Sequence, residues 1–178
     1  MQEAPGIAGE GCGFALRSAN VADAAVLAEL IENLNRSEGD PTGFVSAETT
    51  ARDLATGRIS VVVAEAEGFV IGYCLYHVGY EATYAANGLY IVDLFVVEAR
   101  RRAGVGRALV AEVARRSKSE GGIFVWWTAK PGNEAANAMY QRLGAFSEPV
   151  VAHAVFDEPF ERLVEAGKAR AAHEPTSD

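Results

Sequence analysis

Cysteine is almost missing from this chain: Cys12 and Cys74 are the two in 178 residues. Neither has the spacing of a metal site, and two thiols make no disulfide framework. A reduced, cytoplasmic setting and no metal are therefore expected. Cys74, inside a strand-like run, reads as a small core residue and not as a nucleophile. Long apolar runs are missing too. None approaches the ~20 residues that span a bilayer, and the opening MQEAPGIAGEG lacks the basic-then-apolar order of a signal peptide. No internal repeat or linker divides the chain, so one domain with a sizeable core is expected.

Positive charge is scarce in the first half. Residues 1–99 hold four basic residues against fourteen acidic ones, a balance of −10 within a net charge of −8. Residues 100–118 reverse it. Arg100, Arg101, Arg102, Arg107, Arg115, Arg116 and Lys118 stand there against Glu112, a local +6. One short anion-binding stretch in an acidic body suits a phosphate ligand on one side and a cationic partner on the other. It disfavours nucleic acid, since the basic residues form one turn-and-helix patch while the remainder repels phosphate.

Along the chain, residues 1–12 are small, Gly-rich and expected to be disordered. Gly13 to Arg17 predicts a short strand. Asn20 predicts a helix N-cap, followed by the apolar stripe Val21, Ala24, Leu27, Ala28, Ile31 and Leu34. Residues 35–45 read as a polar loop, and Ser46 caps a second helix from Ala47 to Thr56. Ser60 to Ala66 and Phe69 to Tyr80 are strands joined across Glu67-Gly68. Glu81 to Gly88 reads as a turn. A helix over 104–118 carries Val105, Leu109 and Val113, and Gly121-Gly122 ends it. Ile123 to Thr128 predicts a buried strand containing Trp126 and Trp127. Asn133 caps a further helix that Gly144 closes. Val150 to Phe156 predicts a last strand, Pro159 to Gly167 an amphipathic helix, and 168–178 a disordered tail. This order gives an α/β (α+β) domain over 13–167 with a mixed sheet.

The stretch Leu89 to Gly106, LYIVDLFVVEARRRAGVG, is the centre of that order. A β-branched and aromatic strand broken by one acid, Asp93, runs into three arginines, then Gly104-Val105-Gly106 and a helix start. Glycines let backbone N–H groups approach a phosphate, and the helix N-terminus adds partial positive charge.

The spacing Arg101-x-x-Gly104-x-Gly106, between a fourth strand and a third helix, resembles the pyrophosphate loop of the GNAT superfamily of N-acetyltransferases. Asn133-Glu134-Ala135-Ala136-Asn137-x-Met139-Tyr140-x-x-Leu143-Gly144-Ala145 resembles that family's fourth-helix signature. More narrowly, Leu89-Tyr90-x-x-Asp93-x-Phe95-Val96 is similar to the diamine (spermidine/spermine) and thialysine acetyltransferases, as is Asp157-x-x-Phe160-x-x-Leu163. Two departures stand out: Val92 holds a position that is acidic in those enzymes, and Phe146-Ser147-Glu148-Pro149 lacks their Trp-containing loop. The resemblance implies a mostly antiparallel central sheet flanked by helices, acetyl-CoA as cofactor, a small-molecule amine as substrate and a homodimer. It implies that Phe95, Val96 and Val97 bind pantetheine through their backbone, and that Arg102, Ala103, Gly104, Val105 and Gly106 face the pyrophosphate, with Arg101 and Arg107 adding charge.

Acetyl transfer from a thioester to an amine also needs a proton for the leaving thiolate and a neutral amine. Asn133, Asn137 and Tyr140, at i, i+4 and i+7, share a helix face, which points Tyr140 at the thiolate. A lone carboxylate in an apolar strand is costly unless used, which points Asp93 at the amine as base or ammonium partner. Glu81, with Glu38 and Asp40, lies in loops suited to frame the amine's entrance. The expected activity is N-acetylation of a small cationic amine, diamine or lysine-like. Acetylation of a protein N-terminus or lysine, and a non-catalytic acyl-CoA-binding module, are the alternatives.

Overall fold

The structure, a computed structural model, describes residues 13–171. The expected tail over 1–12, with Cys12, and the end of the expected tail, 172–178, lie outside the described residues. The chain divides into two units, 1–143 and 144–178.

The first unit holds five strands and four helices: β1 (Ala15–Ser18), α1 (Ala24–Glu38), α2 (Ala47–Ala55), β2 (Ser60–Ala66), β3 (Phe69–Glu81), β4 (Ala86–Val96), α3 (Val105–Ser119), β5 (Phe124–Trp127) and α4 (Glu134–Arg142). The strands lie in sequence order in one sheet, antiparallel throughout except for the parallel pair β4–β5. The β2–β3 turn puts Glu67 and Gly68 at φ 54° and 81°, the left-handed pair that a two-residue hairpin requires.

Strand alternation sorts the core into two layers. Val62, Ala64, Cys74, Leu89 and Ile91 pack with Val105, Leu109 and Val113 of α3. Val61, Val63, Tyr73, Leu75 and Phe95 pack with Leu27 and Leu30 of α1. Cys74 is fully buried there, and burial pushes its thiol up to about 12, as a core residue requires.

Several boundaries differ from expectation. Asn20 and Asp23 form a capping box around a single 3-10 turn, Val21–Asp23, before α1 begins, which leaves Val21 exposed. The helix α1 runs to Glu38, into the expected 35–45 loop, and stops where Gly39 takes φ 72°. Half of the expected 81–88 turn is sheet: β3 reaches Glu81, a 3-10 turn takes Ala82–Tyr84, and β4 starts at Ala86. The strand β5 is not a buried one. Its sole neighbour among the described strands is β4, and Trp126 is 50% exposed.

In the second unit, α5 (Asp157–Ala171) is longer than expected and takes in the first part of the predicted C-terminal tail, whose Lys, Ala and Arg residues favour helix. The expected strand Val150 to Phe156 is absent among the described residues. A strand satisfies its N–H and C=O groups against another strand, and this unit supplies none among its described residues.

Candidate active site

The site begins where the sheet comes apart. The strand β4 follows β3 along its length but pairs with β5 only over Gly88–Ile91. It continues through Val92 to Val96 without a β5 partner. Leu75 pairs with Asp93 and Tyr76 with Ile91, so Val92 is an unmatched bulge. Beyond it, the Val97 N–H donates to Ile71 O on β3 at 3.0 Å. Antiparallel alternation then commits Phe95 and Val97 to β3 and turns the backbone of Leu94 and Val96 into the gap. A cavity of about 700 Å³ opens there, walled by β4, the start of α3, one face of α4 and the end of α1.

One end of the cavity is cationic. Arg102 and Gly104 adopt φ 62° and 82°, swinging the chain from β4 into α3. The first helical bond runs from Ala108 N–H to Gly104 O, so the N–H groups of Val105, Gly106 and Arg107 have no partner inside the helix. Arg101 is folded back: its Nε donates to Val96 O at 3.0 Å, and its guanidinium carbon sits 5.9 Å from the centre of the Phe95 ring. Arg100 reaches Glu67 at 3.2 Å. Arg102, Arg107 and Arg142 also line the cavity and pair with no carboxylate among the described residues. Gly106 matters for closeness, since a Cβ there would stand 3.3 Å from the Met139 sulfur.

Tyr140 also lines the cavity. Its ring packs on Trp127 with centroids 5.0 Å apart, and its hydroxyl bonds to no described residue. Burial, with the negative charge of Glu38 adding to it, pushes the phenol up to about 12, so it is protonated at neutral pH. Asn133 caps α4, accepting from Ala136 N–H at 3.2 Å, and its Nδ2 donates to Glu38 Oε1 at 3.1 Å. Asn137 does not join it on the cavity. Its Nδ2 donates to Lys130 O and Pro131 O at 3.1 and 3.2 Å, bracing the turn before α4. The face of α4 that lines the cavity is Ala135, Ala136, Met139, Tyr140 and Leu143.

Glu38 is the one acid among the cavity's described lining residues. Asp93 is not in the lining. It points to the α1 side, where the Tyr73 hydroxyl donates to Oδ2 at 3.5 Å. Burial raises its carboxyl above the usual range against that hydrogen bond, and Asp40 adds to the rise. A carboxyl raised by folding stabilises the fold at low pH and loses that contribution as pH climbs through the raised value. Asp93→Asn is therefore expected to melt progressively above wild type as pH rises above the ordinary aspartate value of ~4, with the gap closing in acid. Scanning calorimetry across that rise in pH checks it, and a constant or reversed gap contradicts it. Glu81 also lies off the cavity, capping Thr83 N–H at 2.9 Å.

Of the residues expected in the site, the fold gathers Phe95, Val96, Arg101, Arg102, Gly104, Val105, Gly106, Arg107, Asn133 and Tyr140 around one cavity. Val97, Ala103, Asn137, Asp93 and Glu81 are not among its walls. Glu38, expected in a loop framing the amine's entrance, does line the cavity but as the last residue of α1, while Met139 and Arg142 are wall residues that carried no expected role. The small pair Ala135-Ala136, one turn before Met139-Tyr140, is the signal for that face of α4.

Comparison with known proteins agrees with this geometry. A stretch of 76 residues is 34% identical to the L-ornithine N5-acetyltransferase of Arabidopsis thaliana, covering 43% of this chain. The match takes in 33% of that protein, so the chain spans about a third of the length of the curated relative it matches. An integron cassette protein from the mobile metagenome of V. cholerae shares the fold with a TM-score of 0.72 at 21% identity, covering 87% of this chain and 99% of that one. A ribosomal-protein-alanine N-acetyltransferase from Brucella melitensis does so with 0.68 at 14% identity over 81% and 99%. An aminoglycoside acetyltransferase from an uncultured soil metagenomic sample gives 0.69 at 19% over 82% and 96%. The model of the acetyltransferase (GNAT) family matches residues 27–145, and this chain belongs to that family.

Proposed function

We propose that this chain transfers the acetyl group of acetyl-CoA to a primary amine, and that the amine is small and carries a second positive charge. The observation that carries the reading is the set of groups that line one cavity: bare helix N–H groups and arginines, a protonated Tyr140, and Glu38 as the one acid among the described walls.

The residues fit the donor. A cavity of about 700 Å³ is of the size that holds a cofactor-sized ligand. The N–H groups of Val105, Gly106 and Arg107, with Arg102, Arg107 and Arg142, suit a pyrophosphate. Backbone groups of Leu94 and the N–H of Val96, free of β3, suit the amides of pantetheine, while the Val96 carbonyl is held by Arg101. When bound, acetyl-CoA would supply an acetyl carbon made electrophilic by its sulfur. Tyr140 holds a proton that a departing thiolate would take, and would recover one from the amine nitrogen as that nitrogen bonds to the acetyl carbon. Glu38 supplies negative charge on the acceptor side. The ornithine named by the plant relative is a diamine, which matches that charge.

Release of CoA thiol in the presence of an amine panel tests the reading. Diamines, ornithine and lysine are expected to outpace monoamines and peptide N-termini, and added salt to lower kcat/KM for the dicationic acceptors by screening. Release with no amine in the panel would reject it.

A further inference from the structure

Glu38, the acid in the cavity wall, is already met by a cation, Lys130, which like Asp40 is not among the cavity's described walls. Lys130, in the β5–α4 connection, donates from Nζ to Asp40 Oδ1 at 2.8 Å and to the main-chain oxygen of Glu38 at 2.8 Å. The same Nζ lies 3.7 Å from Glu38 Oε2. Glu38 Oε1 is taken by Asn133 Nδ2, whose own Oδ1 fixes the first turn of α4. The Glu38 carboxylate is thus aimed by two partners and stays 25% exposed against a cavity that contains no other acid among its described walls.

Lys130 itself is half exposed, as is Asp40. Exposed ion pairs of this kind are worth little, because water and salt compete with them. The arrangement is therefore a firm carboxylate served by a loosely held ammonium on a flexible stem.

We propose that Lys130 is a displaceable stand-in for the acceptor's second cation, so that Glu38 and Asp40 bind the distal ammonium of a diamine once Lys130 moves aside. This rests on the acceptor class given above. It makes Glu38, Asp40 and Lys130 specificity-determining residues, with Lys130 working against the dicationic acceptor. The bland rival role for Lys130 is to fasten the last carbonyls of α1, and it predicts a different pattern. Loss of a fastener loosens the site for every amine alike. Loss of a competitor helps only the amine that needs the vacated carboxylates.

Equilibrium binding to the full chain separates the two without requiring turnover. The probes are putrescine and butylamine, equal in carbon length and differing by one ammonium, titrated by calorimetry. Lys130→Met is expected to tighten putrescine by about fivefold, the scale of one exposed ion pair, and to leave butylamine within about twofold. Lys130→Arg keeps the charge and is expected to restore the wild-type ratio. Glu38→Gln keeps the acceptor oxygen for Asn133 while removing the charge, and is expected to weaken putrescine by about tenfold or more. Weaker binding of both amines to Lys130→Met, or a Glu38→Gln variant with an unchanged putrescine-to-butylamine ratio, overturns the proposal. Because the readout is binding, absence of acetyl transfer alongside the expected pattern would reject the proposed activity and not this inference.

Discussion

Tyr140→Phe is expected to lower kcat by roughly 10²-fold while leaving acetyl-CoA affinity unchanged. The substitution keeps the ring that packs on Trp127 at 5.0 Å and removes only the hydroxyl. That hydroxyl bonds to no described residue, so its loss leaves no polar group stranded in the wall. What disappears is the proton available to the leaving sulfur. A thiolate must then leave unprotonated or take a proton from water, and the barrier rises in the bond-breaking step while ground-state binding is untouched. The pH profile adds a second readout. Burial has moved the phenol up to about 12, so it stays protonated through the range where an ordinary tyrosine ionises near ~10. Wild-type kcat is expected not to fall from that cause between about pH 7 and about pH 10. A variant with kcat within about threefold of wild type would reduce Tyr140 to packing against Trp127.

Gly104→Val is expected to weaken acetyl-CoA binding by about tenfold or more, ~1.4 kcal/mol. The cause is torsional and not a lack of room. Gly104 sits at φ 82°, and a Cβ built on it meets nothing within 4 Å. A β-branched residue is an outlier at that angle, and the chain relieves it by rotating away. Rotation there tilts the N–H groups of Val105, Gly106 and Arg107, since Gly104 is the N-cap of α3. Gly104→Asn separates this from simple bulk, because asparagine tolerates the left-handed region and is expected to lose less. Calorimetric titration of acetyl-CoA on folded variants checks it. Unchanged affinity in Gly104→Val removes the loop from the site.

What was legible in the sequence was local. Ser46 with Thr49 closes a capping box, Glu67-Gly68 makes the hairpin, and the Arg/Gly loop sits at the start of α3, all from side chains within a few residues of one another. The site was legible where a motif and its neighbours lie on one element, as with Val105, Gly106 and Tyr140. It failed where the outcome depends on distant partners. Asn137 faces away because the carbonyls of Lys130 and Pro131 claim it. Val97 is spent on Ile71, twenty-six positions earlier. Val150 to Phe156 has the pattern of a strand but no strand beside it in its own unit.

The extra residue at Val92 has a consequence for how one strand can serve two cores. Leu89 and Ile91 belong to the α3 layer, and by simple parity Asp93 and Phe95 would follow them there. Instead Phe95 lies in the α1 layer, while Leu94 and Val96 pack with α3. The bulge therefore acts as a phase slip: the odd-numbered face of β4 crosses from one side of the sheet to the other halfway along. The half before the slip is ordinary core. The half after it presents an acid to the α1 side and releases alternate amides into the gap left by β5. Pairing Val92 as an ordinary strand residue would instead drive the Asp93 carboxyl into the α3 core and withdraw Phe95 from α1, whereas deleting Val92 would make Ile91 and Asp93 neighbours and leave the contents of both layers as they are.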